Sequence, residues 1–187
     1  MLSAKIHSFL FKNKKTIPIL LTFLFSIFFL STRLPWLADD VINPDGVLWH
    51  SRSEQFIVGV KHKLFEKTFQ HYQPGVTLMW IVGSAAEIFK QITNITVYNS
   101  ETYVRFDFIA KSALVLVQLF LSILIIYHLS KITGFLKAFL ITTIFTFEPF
   151  FIGNSRLLHM DVLSGLLVFL CLILVYDITQ RPNFIKS

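Results

Sequence analysis

Four stretches of this chain stay apolar for close to the roughly 20 residues a helix needs to cross a bilayer. Thr16 to Thr32, TIPILLTFLFSIFFLST, carries no charge. The second opens near Val104 and runs uncharged from Ser112 to Ser130, SALVLVQLFLSILIIYHLS. The third covers about Ile132 to Phe151, with Lys137 and Glu148 near its ends, and the fourth covers Val162 to Tyr176. A shorter stretch, Pro74 to Phe89, holds two glycines and Glu87, which predicts an interfacial or re-entrant helix rather than a span. The pattern predicts an all-α, polytopic membrane protein with about four transmembrane helices, forming a single membrane domain over residues 1–187.

Between the first two spans the pattern changes. Asn43-Pro44 is a helix start, a polar cap followed by proline at the first helical position. Trp49, Phe56, Val60 and Leu64 then recur at spacings of seven, four and four, which places them on one helical face, with Arg52, Lys63 and Lys67 largely elsewhere. This predicts an amphipathic helix lying flat on the membrane, with Asp45 in its first turn.

Composition agrees with the periodicity. Of 187 residues, 54% are hydrophobic and only 15% charged, where a soluble domain has about a quarter. So much apolar surface excludes one small soluble core. The net charge of +6 is spread over membrane-flanking segments, so anionic lipid, and not nucleic acid, is the expected partner. Cys171 is the single cysteine, which excludes an internal disulfide.

Lys5, Lys12, Lys14 and Lys15 precede the first span, Lys131 and Lys137 flank the turn between the second and third, and Arg181 and Lys186 follow the fourth. Basic residues at those ends predict that both termini are cytoplasmic and that the segment from residue 33 to 103 lies outside. That outer segment also holds Lys61, Lys63, Lys67 and Lys90. The exit of the first span, STRLPWLADD, has no small-x-small cleavage pattern, so the span is read as an uncleaved anchor. Asn94-Ile95-Thr96 has the glycosylation-acceptor form, a triplet common by chance.

Three clusters carry candidate chemistry, each beside a plainer explanation. Asp45, in NPDGVLWHSRSEQF, is either a first-turn carboxylate favoured by the helix dipole or a base at the membrane surface. In NSRLLHMDVL, Arg156 either snorkels or binds phosphate, His159 shares its face if the segment is helical, and Asp161 either caps the fourth span or belongs to a site. In HYQPGVTLMW, His71 and Tyr72 precede a proline-glycine turn that either joins two helices or lines a site. Trp36, Trp49 and Trp80 suit interfacial anchoring.

The order of these features resembles the N-terminal part of the GT-C glycosyltransferases, in the branch of the protein O-mannosyltransferases and lipid A aminoarabinose transferases. NPDGVLWHSRSEQF stands where that branch has its acidic motif, HYQPG where it has a His-Pro-Gly type turn, and ETYVRFDFIAKSALVLVQLF where a span begins behind an arginine. NSRLLHMDVLSGLLVFL stands where a Ser-Arg…Asp segment opens a further span, so the resemblance runs from about Thr16 to Tyr176. It implies Asp45 as the base, Arg156 with His159 at the lipid-linked phosphate, and Asp161 as a second acid. Trp49, Arg52, His71 and Tyr72 are then candidate contacts to donor or acceptor. Gly46 replaces the second carboxylate of the acidic motif, and two residues separate His71 from Pro74.

The resemblance implies a membrane glycosyltransferase that moves a sugar from a polyprenyl-phosphate donor to an acceptor hydroxyl. Members of the branch have more spans, so this chain is expected to be an N-terminal portion that works with a missing C-terminal part. No cofactor is required, and no short ligand-spacing motif supports a metal, although His71, His159 and carboxylates are available. Two other classes stay open: a small transporter or proton-conducting component using Asp107, Glu148 and Asp161, and a non-catalytic membrane partner packing through the small residues of Ser164 and Gly165.

Overall fold

The computed structural model describes residues 16–40, 43–69, 75–95 and 99–180. These form seven α-helices and one 3-10 turn, with no strand among the described residues. The helices are α1 (Thr16–Arg33), α2 (Pro44–Lys61), α3 (Val76–Thr93), α4 (Ser100–Thr133), α5 (Phe135–Thr146), α6 (Pro149–Ser155) and α7 (Asp161–Thr179), with the 3-10 turn at Phe65–Thr68. Helices α1, α4 and α7 are each long and apolar enough to cross a bilayer, and α5 with α6 makes a fourth if that bent pair is one span. The chain is an all-α, polytopic membrane protein.

Helix α4 is the axle of the fold. Its 34 residues give a length of about 51 Å, well beyond a hydrocarbon core of about 30 Å. The span expected from about residue 104 therefore begins earlier, at a capping box in which the Asn99 side chain accepts from the Thr102 amide while Thr102 Oγ1 accepts from the Asn99 amide. One core cluster joins α2, α3, α4 and α7 around Trp49, Leu78, Leu114, Leu158 and Leu166. A second joins α1 to α4 around Phe25, Phe29, Leu37, Val115 and Ile126, with Phe139 of α5 against it.

Two expectations change here. The third span is not one straight helix. Gly134 separates α4 from α5 at φ +84°, ψ 154°, a conformation open essentially to glycine, and Pro149 starts α6 at 69° to α5. Glu148 caps α6, its Oε2 accepting from the Phe151 amide at 2.7 Å, so that carboxylate is used locally.

The second change concerns α2, which does begin where Asn43-Pro44 placed it, with the Asp45 amide donating to Asn43 Oδ1 at 3.1 Å. Its apolar stripe is covered by protein rather than open along its length. Trp49 is fully buried and Phe56 nearly so, packed with residues of α3, α4 and α7, while Leu64 lies past the helix end and is exposed. Close approach to α3 explains it: Gly83 leaves no room for a Cβ, which would meet the Ile57 side chain and come within 2.7 Å of the Ser53 carbonyl. Gly75 likewise lies under the Trp49 ring.

Candidate functional site

The end of the bundle that carries the C-termini of α1 and α5 also receives the N-termini of α2 and α7. Arg33, fully buried, joins the first two: its Nη2 donates to the Thr146 carbonyl, and its guanidinium lies 3.7 Å from the centre of the Phe29 ring. Residues 156–160 form the turn between α6 and α7, and Leu158, at its middle, packs beside Gly46 and Trp49. That contact brings α2 onto the start of α7.

Three of the expected residues meet there. His159 Nδ1 lies 3.0 Å from Asp161 Oδ1, and Nε2 on the other side of the ring lies 3.5 Å from Asp45 Oδ2. The Asp45 side chain is about half exposed, at 49%, so a hydroxyl can reach it, while the ring is mostly covered, at 22%. Asp161 occupies the first turn of α7 but makes no cap; the N-cap is Met160. The two carboxylates contact opposite nitrogens of one imidazole, which suits holding the ring and not sharing an ion. Among the described residues no three His, Cys, Asp or Glu side chains are grouped so as to hold a metal.

Arg156 is not on a shared helical face with His159, because it is the C-cap of α6 and the chain turns after it. Its guanidinium is spent inside the protein. Nε and Nη2 donate to the two Asp40 carboxylate oxygens at 2.9 and 2.8 Å. Nη1 donates to the carbonyls of Arg33 at 2.9 Å and Thr32 at 3.5 Å, and Nη2 also to that of Pro35 at 3.0 Å. Two of these bonds satisfy the last carbonyls of α1, which lack helical partners, and the other three hold the segment that follows it at Pro35 and Asp40. The arginine expected at a phosphate is a clamp in this structure.

Arg52 is placed differently. Asp45, Trp49 and Arg52 follow one another at spacings of four and three, along one edge of α2. The Arg52 guanidinium lies 5.1 Å from the centre of the Trp49 ring and has no carboxylate partner among the described residues. His71 and Tyr72 lie outside the described residues, so their place relative to this edge is not part of the geometry.

On the other edge of α2 lies a cluster the sequence analysis did not find. His50 Nε2 sits 3.0 Å from Asp107 Oδ1, and Lys111 Nζ sits 2.6 Å from Asp107 Oδ2, all three side chains 5% exposed or less. The pair Asp107 and Lys111, one helical turn apart at the edge of an apolar run, was a readable signal. His50 was not, since its partner is far away in the chain. Further along, α2 and α3 are tied by Lys61 to Glu87 and by Lys90 to Glu54 at 2.6 Å. The hydrogen bond from Lys61 holds the Glu87 carboxyl below the usual carboxylate range. This pairing contributes stability above the ordinary carboxylate pKa and loses it as the pH falls through the lowered value.

No protein-family model, curated protein or solved structure matches this chain. The functional reading therefore rests on the side chains themselves.

Proposed function

We propose that this chain forms the reaction edge of a membrane glycosyltransferase that takes its sugar from a polyprenyl-phosphate donor. One observation carries the reading: Asp45 and His159, far apart in sequence, meet at the end of a membrane bundle, with a cation on the same helix edge as the carboxylate. A donor anchored by its polyprenol stays in the bilayer, so its sugar-phosphate bond is attacked where lipid meets water. Asp45 takes the proton of the acceptor hydroxyl, the hydroxyl oxygen bonds to the anomeric carbon, and the bond from that carbon to phosphate breaks with its electron pair leaving on the lipid phosphate.

His159, held by Asp161, orients Asp45. The phosphate role passes from Arg156 to Arg52, because a guanidinium whose donors are all engaged has none to offer a substrate. Seven residues of helix separate Asp45 from Arg52 by about 10 Å, a distance that a sugar and its phosphate bridge. Trp49, between them, is buried and steadies the Arg52 guanidinium, which lies 5.1 Å from the centre of its ring. The basic span ends put both termini in the cytoplasm and residues 33–103 outside, so transfer takes place at the outer surface.

A transfer assay in membranes containing the protein, offered hexose and pentose donors on polyprenyl phosphate, tests the assignment. Asp45→Asn is expected to lower the rate by about 10²-fold or more, the usual effect of losing a general base. Arg52→Ala is expected to weaken donor binding, while Arg156→Ala lowers the amount of folded protein and not the rate per folded molecule. No transfer from any donor, or an unchanged rate in Asp45→Asn, overturns it. A proton-conducting component is disfavoured by placement: Asp107, Glu148 and Asp161 all fall towards one end of the bundle and form no path across it.

A further inference from the structure

The opposite end of the bundle holds a second site. Helix α1 is anchored only through its C-terminal half, by Phe25, Phe29 and Arg33, so its N-terminal half diverges from α4. The wedge left between them has a volume of about 540 Å³. Ile19 and Phe23 form one wall and Ile123, Ile126 and Tyr127 the other, with Phe135 at the start of α5 beside them. Such a volume falls within the roughly 300–1,000 Å³ of sites that enclose one small ligand. A wedge with walls of this kind, set between two membrane helices, takes hydrocarbon and excludes water.

Charge decides which hydrocarbon. Ser130 lines the mouth, and the next residue, Lys131, has its ammonium 4.0 Å from the centre of the Tyr127 ring with no carboxylate partner among the described residues. Lys137 is exposed in the first turn of α5, and the sequence places Lys12, Lys14 and Lys15 directly before α1. Of the acids on the spanning helices α1, α4 and α7, only Asp177 of α7 falls at this end. An apolar slot beneath a cationic rim matches a lipid with a negative headgroup.

We propose that the wedge holds one acyl chain of an anionic phospholipid, with its phosphate at Lys131. The lipid fills the gap that α1 leaves and fixes the splay of that helix. The site lies away from the Asp45 edge and does not depend on sugar transfer.

Native mass spectrometry of the full chain, released from nanodiscs of equal phosphatidylglycerol and phosphatidylcholine, tests it. The protein is expected to retain one phosphatidylglycerol over phosphatidylcholine by roughly fivefold, the effect of a single lysine at a headgroup. Lys131→Gln, a change at an exposed position, removes most of that preference. Thr22→Trp fills the slot and lowers retention of both lipids. Equal retention of the two lipids by the unaltered protein, or undiminished retention in Thr22→Trp, overturns the proposal. So does disulfide-linked dimer formed through Ser26→Cys in a Cys171→Ser background, which would show a second copy occupying the wedge.

Discussion

Arg156 shows how a side chain's hydrogen bonds constrain its role. A guanidinium offers five donors in a fixed plane, and here each has an acceptor on Asp40 or on the carbonyls of Thr32, Arg33 and Pro35. Lysine keeps the charge but has no planar fork, so it cannot span both Asp40 oxygens and the carbonyls together. Arg156→Lys is therefore expected to lower stability by about 2 kcal/mol, since bonds to charged groups each contribute roughly 1.5–3 kcal/mol and only part is lost. Thermal unfolding in detergent reads this as a lower midpoint, with Asp40→Asn shifted the same way; an unchanged midpoint in both rules the clamp out. Arg52 has no such network, which leaves it available to a ligand.

At the scale of elements, helices were far more legible than their packing. Asn43-Pro44 marked the start of α2 because capping is local chemistry. The spacing of Trp49 and Phe56 does not say what covers them, because such a stripe fits a protein neighbour as well as a membrane, and here it is protein. The deciding feature is Gly83 on α3, where a Cβ has no room against the Ser53 carbonyl. Gly83→Ala gains up to about 1 kcal/mol of helix propensity, but it pushes the two backbones apart, and overpacking costs roughly 1–3 kcal/mol. A net loss of stability is expected there. Gly46→Ala is expected to be tolerated, since its Cβ meets Leu158 at an ordinary 3.5 Å. Comparing the two unfolding midpoints checks the pair, and equal effects would refute the close-packing account.

The whole molecule has two chemically different ends. One gathers Asp40, Asp45, Glu148 and Asp161 with the turn after α6; the other carries Lys131 and Lys137 about the turn at Gly134, and the sequence places Lys12, Lys14 and Lys15 directly before α1. The proposed orientation follows from this polarity, and a thiol reagent that cannot cross membranes checks it. In a Cys171→Ser background, Ser100→Cys is expected to react in intact cells, and Lys137→Cys only after permeabilisation. The reverse pattern would invert the topology and move the Asp45 edge to the cytoplasmic face.

The sequence by itself determined the helical membrane class, the cap at Asn43, and the acidic, basic and aromatic residues available for chemistry. These are consequences of apolar run length and of hydrogen bonds within a few residues, both of which are written locally. Tertiary structure decided which of those residues meet. Asp45 reaches His159 where Leu158 packs beside Gly46, His50 of α2 reaches Asp107 of α4, and Arg156 at the end of α6 is taken by Asp40, beyond the end of α1. Such meetings depend on the path of the whole chain, which no spacing between neighbouring residues encodes.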